Sequence, residues 1–228
     1  MPKNSIGLTA KSWAVLRKDI QVEFRSRYAL NAILLFGVTT LTVVSFSVGQ
    51  KNLSGELYAA LFWIIIFFSA MSGLAHVFVR EEDAKTATVL RLTADTTAVY
   101  WGKLGFNFLL LSLLEAVITP LFLMMTDAIL HHFFLLLIIL FLGAVGLAGA
   151  TTLIAAIISK ASVKGALFAV LSFPILLPLL IGVINGTTKA LTATGGVTQA
   201  SSELQLLTSY AVVMITASLL LFEFVWEE

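Results

Sequence analysis

The chain has 228 residues, of which 59% are hydrophobic, and a mean hydropathy of +0.99; apolar residues fall in runs of about 20, so it is an integral membrane protein and not a globular domain. A net charge of +1 gives no field that would hold nucleic acid or an acidic substrate. The lack of cysteine excludes disulfides, thiolate metal sites and thiol catalysis.

Residues 1–28 carry six Lys or Arg without the apolar core of a secretory leader, so no cleaved leader is expected. From Lys11 to Arg27, Trp13, Leu16, Ile20 and Phe24 recur at helical spacing with Lys11, Lys18 and Arg25 opposite. This predicts an amphipathic helix over residues 1–27 that lies in the membrane interface and orients the first span. Arg17 and Arg27 fall on or beside the apolar stripe, where their long side chains can snorkel to lipid phosphate.

Six spans follow: Tyr28–Val48, Leu57–Val79, Leu104–Thr126, Phe133–Ile158, Ala166–Gly186 and Leu206–Trp226. The expected fold is an all-α six-span membrane domain over residues 28–226, with 227–228 as a tail. The N-terminal segment holds six Lys or Arg, the 80–103 loop four and the Ser159–Gly165 loop two, against only Lys51 and Lys189 in the opposite loops. Positive charge marks the cytoplasmic side, so both termini are expected there.

Between the second and third spans runs REEDAKTATVLRLTADTTAVYWGKLGFN, residues 80–107, the longest polar segment between two spans. Glu81, Glu82 and Asp83 crowd its start, where a helix dipole favours acids, and Thr86, Val89, Leu90 and Leu92 supply an apolar patch. It reads either as a helix that docks a soluble partner or as an amphipathic loop on the lipid headgroups. Gly102 would permit close packing where the chain re-enters the membrane, with Lys103 at the phosphate level.

The third span holds Glu115 one turn before Pro120, the only acid far from a membrane surface and thus a functional candidate. The favoured reading is a neutral carboxyl that hydrogen-bonds a neighbouring helix; a proton site would need a partner that no other span supplies. The Asp127–His132 connection is short, which makes the third and fourth spans antiparallel neighbours. His131 and His132, adjacent in sequence, do not share a helix face and form no ready metal site, although either could ligate a haem presented from outside; interfacial polar residues are the commoner explanation. Gly143, Gly146 and Gly149 make a small-residue surface for helix packing, within the subunit or across a dimer. Pro174 and Pro178 remove two helical donors from the fifth span and should kink or locally unwind it, which makes them, with Pro120, hinge candidates. The Thr187–Gln205 loop has room for a re-entrant or surface helix.

No GxxxxGK[ST], HExxH or GxSxG occurs, so the chain has no phosphate loop and is not read as an enzyme; any ATP is bound by another chain.

Phe78, Arg80, Glu81, Glu82, Thr86, Leu90, Arg91, Leu92, Tyr100, Gly102, Lys103, Phe106 and Asn107, then Glu115 and Pro120-Leu121-Phe122, with Phe173-Pro174 and Pro178 later, resemble the haem exporter protein B family, the cytochrome c maturation permeases CcmB. Lys85-Thr86-Ala87 and Thr93-Ala94-Asp95 depart from the family's usual Gly-Ser/Thr-Leu and proline. The resemblance implies an ABC-2 type permease in the bacterial inner membrane. It would be paired with a second permease copy and a CcmA-like ATPase, beside a CcmC-like haem-handling protein and a CcmE-like periplasmic haem chaperone. ATP use would serve haem delivery or release of the loaded chaperone, with ATP held by the partner, lipid around the spans and no cofactor bound firmly. Glu81, Glu82, Thr86, Leu90, Arg91, Leu92, Gly102 and Lys103 would form the ATPase-coupling element, with the leucines in a cleft and the charges at its rim. The alternatives are an ABC-2 exporter of a lipid or other hydrophobic small molecule, and a secondary transporter that uses Glu115.

Overall fold

The computed structural model describes residues 7–49, 53–74, 90, 94–158, 164–193 and 196–227. Among them are seven helices and no strand: α1 (Leu8–Ser26), α2 (Tyr28–Val48), α3 (Gly55–Leu74), α4 (Thr96–Thr126), α5 (Phe133–Ile158), α6 (Lys164–Leu191) and α7 (Ser201–Glu227). Six of them, α2 to α7, are long and apolar enough to cross a membrane. Backbone donors and acceptors in hydrocarbon must be met within the segment itself, which is why the apolar runs resolve as helices.

The expected spans are recovered with shifted ends, except that residues 75–79 of the second lie outside the described residues. α4 begins at Thr96, eight residues before the expected start, so Thr96–Lys103 is helix continuous with the third span and not part of a separate loop. Its 31 residues rise about 46 Å, against a hydrocarbon core of about 30 Å. α6 runs to Leu191 and α7 starts at Ser201, so the described part of the connection between them contains turns and no further helix.

α3 and α5 are the most enclosed spans. α5 packs on α4, α6 and α7, and its glycines set how closely. A Cβ on Gly143 would lie 2.5 Å from Cη2 of Trp63 in α3, and one on Gly146 would lie 2.7 Å from Cδ1 of Leu179 in α6. Gly149 faces Ile215 and Met214 of α7. The small-residue surface is therefore consumed inside the subunit and is not a dimer contact. This is the packing expected where helix association depends on close approach and no hydrophobic drive separates lipid from protein.

Polar side chains link helices inside this core. Trp63 Nε1 donates to Thr187 Oγ1 at 2.8 Å, and Asn107 Nδ2 donates to Thr152 Oγ1 at 2.8 Å. At the end of the bundle away from α1, Ser45 and Tyr58 donate to the carbonyls of Met125 and Thr126, which lie in the last turn of α4 where acceptors lack helical partners.

Candidate coupling site

α1 does not float apart from the bundle. Its inward face is Val15, Asp19 and Glu23, spaced at four, and it packs along the first turns of α4. Leu16 and Ile20 sit partly buried at the edge of this face, whereas Trp13 (64% exposed) and Phe24 (73%) point away from the protein. The expected apolar stripe thus divides: half lies against protein, half is left for lipid, and two acids occupy the contact itself.

The acids are held in place by named partners. Lys103 of α4, 1% exposed, reaches Asp19 Oδ2 at 3.1 Å, and Lys18 lies 3.2 Å from Asp19 Oδ1. The Lys103 contact is charge on charge, because Oδ2 receives no aligned hydrogen bond. Beside it, a Cβ on Gly102 would lie 2.6 Å from Cβ of Val15 and 3.1 Å from the Ser12 carbonyl, so only glycine allows this approach. Lys11 pairs with Asp95, the residue before α4, at 2.6 Å. At the other end of α1, Arg27 turns the chain in the left-handed conformation (φ 51°), and Glu23 Oε1 accepts the Leu30 amide at 2.9 Å. That amide is one of the unpaired donors at the start of α2, so a carboxylate of α1 caps α2. Taking away one member of a buried ion pair strands the other charge, at a cost on the order of 3–5 kcal/mol.

The expected coupling residues divide accordingly. Gly102 and Lys103 are buried under α1; Lys103 meets a carboxylate and not lipid phosphate. Leu90 is helical and partly buried against the chain's own apolar core, so it is not free to fill a partner's cleft with its whole side chain. Glu81, Glu82, Thr86, Arg91 and Leu92 lie outside the described residues. Sequence reasoning missed Asp19 and Glu23. Their spacing of four on a helix otherwise rich in Lys and Arg was the available signal.

Glu115 lies in the core of α4, 5% exposed, and its Oε1 has no hydrogen-bond partner among the described residues. Among those residues the polar link of α4 to α5 is made by Asn107 and Thr152. Thr119, one turn further on, lines a narrow cleft with Phe62, Phe122, Leu136 and Thr187.

Residues 10–225 match the family described as CcmB protein. The chain belongs to that family. It is a membrane permease component of an ABC system, the haem exporter of cytochrome c maturation, and it sits in the context of other Ccm components. No curated protein matches it.

For a CcmB-family chain, the histidines bear on where haem could be met. The His131 and His132 amides both donate to the Ala190 carbonyl, at 3.2 and 3.0 Å, which ties the α4–α5 connection to the end of α6. His131 is exposed, whereas Nε2 of His132 is buried without a partner among the described residues, and the ring lies beneath Gly196. The two rings therefore differ in setting: His131 is exposed, while His132 is half-buried with Nε2 turned inward. Lys189 closes the same corner by donating to Glu203 Oε2 at 2.7 Å and to the Gln199 carbonyl at 2.8 Å.

The prolines do not unwind their helices: α4 runs unbroken through Pro120, and α6 through Pro174 and Pro178. Tyr210 of α7 donates to the Ile175 carbonyl at 2.9 Å, three residues before Pro178. Pro178 has no N–H for the Pro174 carbonyl and its ring crowds that turn, and Tyr210 gives the neighbouring Ile175 carbonyl a side-chain donor from another helix.

Proposed function

We propose that this chain is the permease through which a separate cytoplasmic ATPase drives the haem-handling steps of cytochrome c maturation, with residues 80–107 as the coupling stretch. The carrying observation is the α1–α4 corner: the described end of that stretch is helix continuous with α4 and is clamped to α1 by buried charge. A displacement applied there enters a spanning helix without passing through a flexible joint. Family membership supports the ABC setting, and the absence of a phosphate-loop motif from the sequence is in keeping with ATP bound by another chain.

In this reading the termini and the coupling stretch lie in the cytoplasm of a bacterial cell, the chain works as two copies over two ATPases, and release of a haem-loaded periplasmic chaperone is the step ATP drives. Exposed apolar surface on α2 (Leu35, Val43, Phe46) and α6 (Val170, Phe173, Ile181) is available for lipid or for the second copy. Leu92 is the sharper docking test, because Leu90 also serves the chain's own core. Apolar anchors outweigh rim charges in small interfaces, so Leu92→Asp should remove the ATPase from the purified complex, while Arg91→Ala costs about 1 kcal/mol of docking. Leu92→Asp that accumulates normally, keeps the ATPase and supports wild-type cytochrome maturation would refute the docking role.

A further inference from the structure

We infer that Asp19 and Lys103 are positioning residues for coupling: their buried ion pair makes α1 a lever that moves with the start of α4 and passes that motion to α2. This rests on the coupling role proposed for residues 80–107.

Both charges could reach solvent by ordinary means. Lys103 has a four-carbon stem that could snorkel to the surface, and α1 could turn its acids outward if it served only as an interfacial float. Instead Lys103 is 1% exposed and Asp19 8%, and they face each other at 3.1 Å. A buried ion pair is a poor source of net stability compared with apolar packing, but it specifies one register and penalises every other. The surrounding contacts prevent the same slip. Val15 fills the space a Cβ of Gly102 would occupy, and Leu16 lies 3.6 Å from a Cβ on Gly105. Lys11 and Asp95 latch the first turns of both helices at 2.6 Å.

The other end of α1 is committed as well. A single residue, Arg27, separates it from α2, and Glu23 holds the Leu30 amide across that elbow. A push on the first turns of α4 therefore has two outlets. One runs along α4, which is unbroken from Thr96 to Thr126. The other runs through Asp19 and Glu23 of α1 into α2, which packs on both α3 and α4. Lipid-facing Trp13 and Phe24 leave α1 able to slide in the interface while it stays clamped to protein.

The test uses the full chain in its membrane complex, with nitroxides on Ala14→Cys and Thr97→Cys, two exposed positions in a chain without native cysteine. The wild-type distance distribution should be narrow and the same with and without a non-hydrolysable ATP analogue. Lys103→Met should broaden it and lower cytochrome maturation about tenfold while the ATPase still co-purifies, and Lys103→Arg should restore both readouts. If Lys103→Met fails to accumulate, Gly102→Val wedges α1 from α4 with both charges still present in the chain and should give the same pair of changes. A wild-type distance that shifts between nucleotide states, or a broadened distribution with undiminished maturation and bound ATPase, overturns the lever. A wild-type complex without any ATPase overturns the coupling role and the lever with it.

Discussion

Gly143→Ala should destabilise the protein, although the substitution is favourable by local propensity. In a helix interior alanine is better than glycine by about 1 kcal/mol, so a site with free space would gain stability. At Gly143 the new Cβ would lie 2.5 Å from Trp63 Cη2, 3.1 Å from Cζ3 and 3.3 Å from Val183 Cγ1. Trp63 has little room to retreat: it is fully buried, its edge contacts Phe62 at a centroid distance of 5.6 Å, and its Nε1 donates to Thr187 at 2.8 Å. Restoring normal contact requires the ring to move roughly 1 Å, which takes the indole N–H out of hydrogen-bond range. Overpacking of this kind costs about 1–3 kcal/mol, and a stranded buried donor costs about 1–3 more. Set against the propensity gain, the net loss is about 1–5 kcal/mol. Equilibrium unfolding in mixed mild detergent and SDS would measure it, with Trp63→Leu as the second arm of a double-mutant cycle. In the Trp63→Leu background Gly143→Ala should become neutral or stabilising. An equal effect of Gly143→Ala in both backgrounds would refute the contact as its cause.

Tyr210→Phe should cost about 0.5–1.5 kcal/mol by the same assay, and less in a Pro178→Ala background, where loss of the crowding ring lets the Leu179 amide close on the Ile175 carbonyl; equal losses in the two backgrounds would separate the tyrosine from the proline. Glu115→Gln should leave cytochrome maturation unchanged, because Oε1 of Glu115 has no hydrogen-bond partner among the described residues; a loss of maturation with normal accumulation would show that its proton is used. For the topology, Lys51→Cys and Lys189→Cys should react with an impermeant thiol reagent from outside the cell and Lys85→Cys should not; the reverse pattern would invert the protein.

The spans were legible because hydropathy measures the property that drives a helix across a bilayer, and Gly143, Gly146 and Gly149 were legible as a packing face because close helix approach demands small residues. The placement of α1 was not. Trp13, Leu16, Ile20 and Phe24 form an apolar stripe, but in a membrane that stripe can be met by lipid as well as by protein, so it does not reveal which side faces the bundle. Asp19 and Glu23 decide the orientation, and their partners, Lys103 and the Leu30 amide, lie 84 and 7 residues away. Periodicity within one helix carries no information about such partners. The start of α4 was hidden for a related reason: Thr96–Lys103 is polar enough to read as loop, yet α1 covers it and stabilises it as helix. Glu115 was legible as an anomaly, but the lack of a partner for its Oε1 among the described residues was not, since satisfaction depends on which helices surround it.

Affinity purification of the full chain from its own membrane in mild detergent decides whether it is the permease of an ATP-driven complex. The purified complex should contain a separate subunit with a phosphate loop, two ATPase copies for two copies of this chain, and ATP hydrolysis that is lost when that subunit is removed. A chain that purifies without any ATP-binding subunit, yet still restores cytochrome c maturation to cells lacking it, would show that no ATPase drives it.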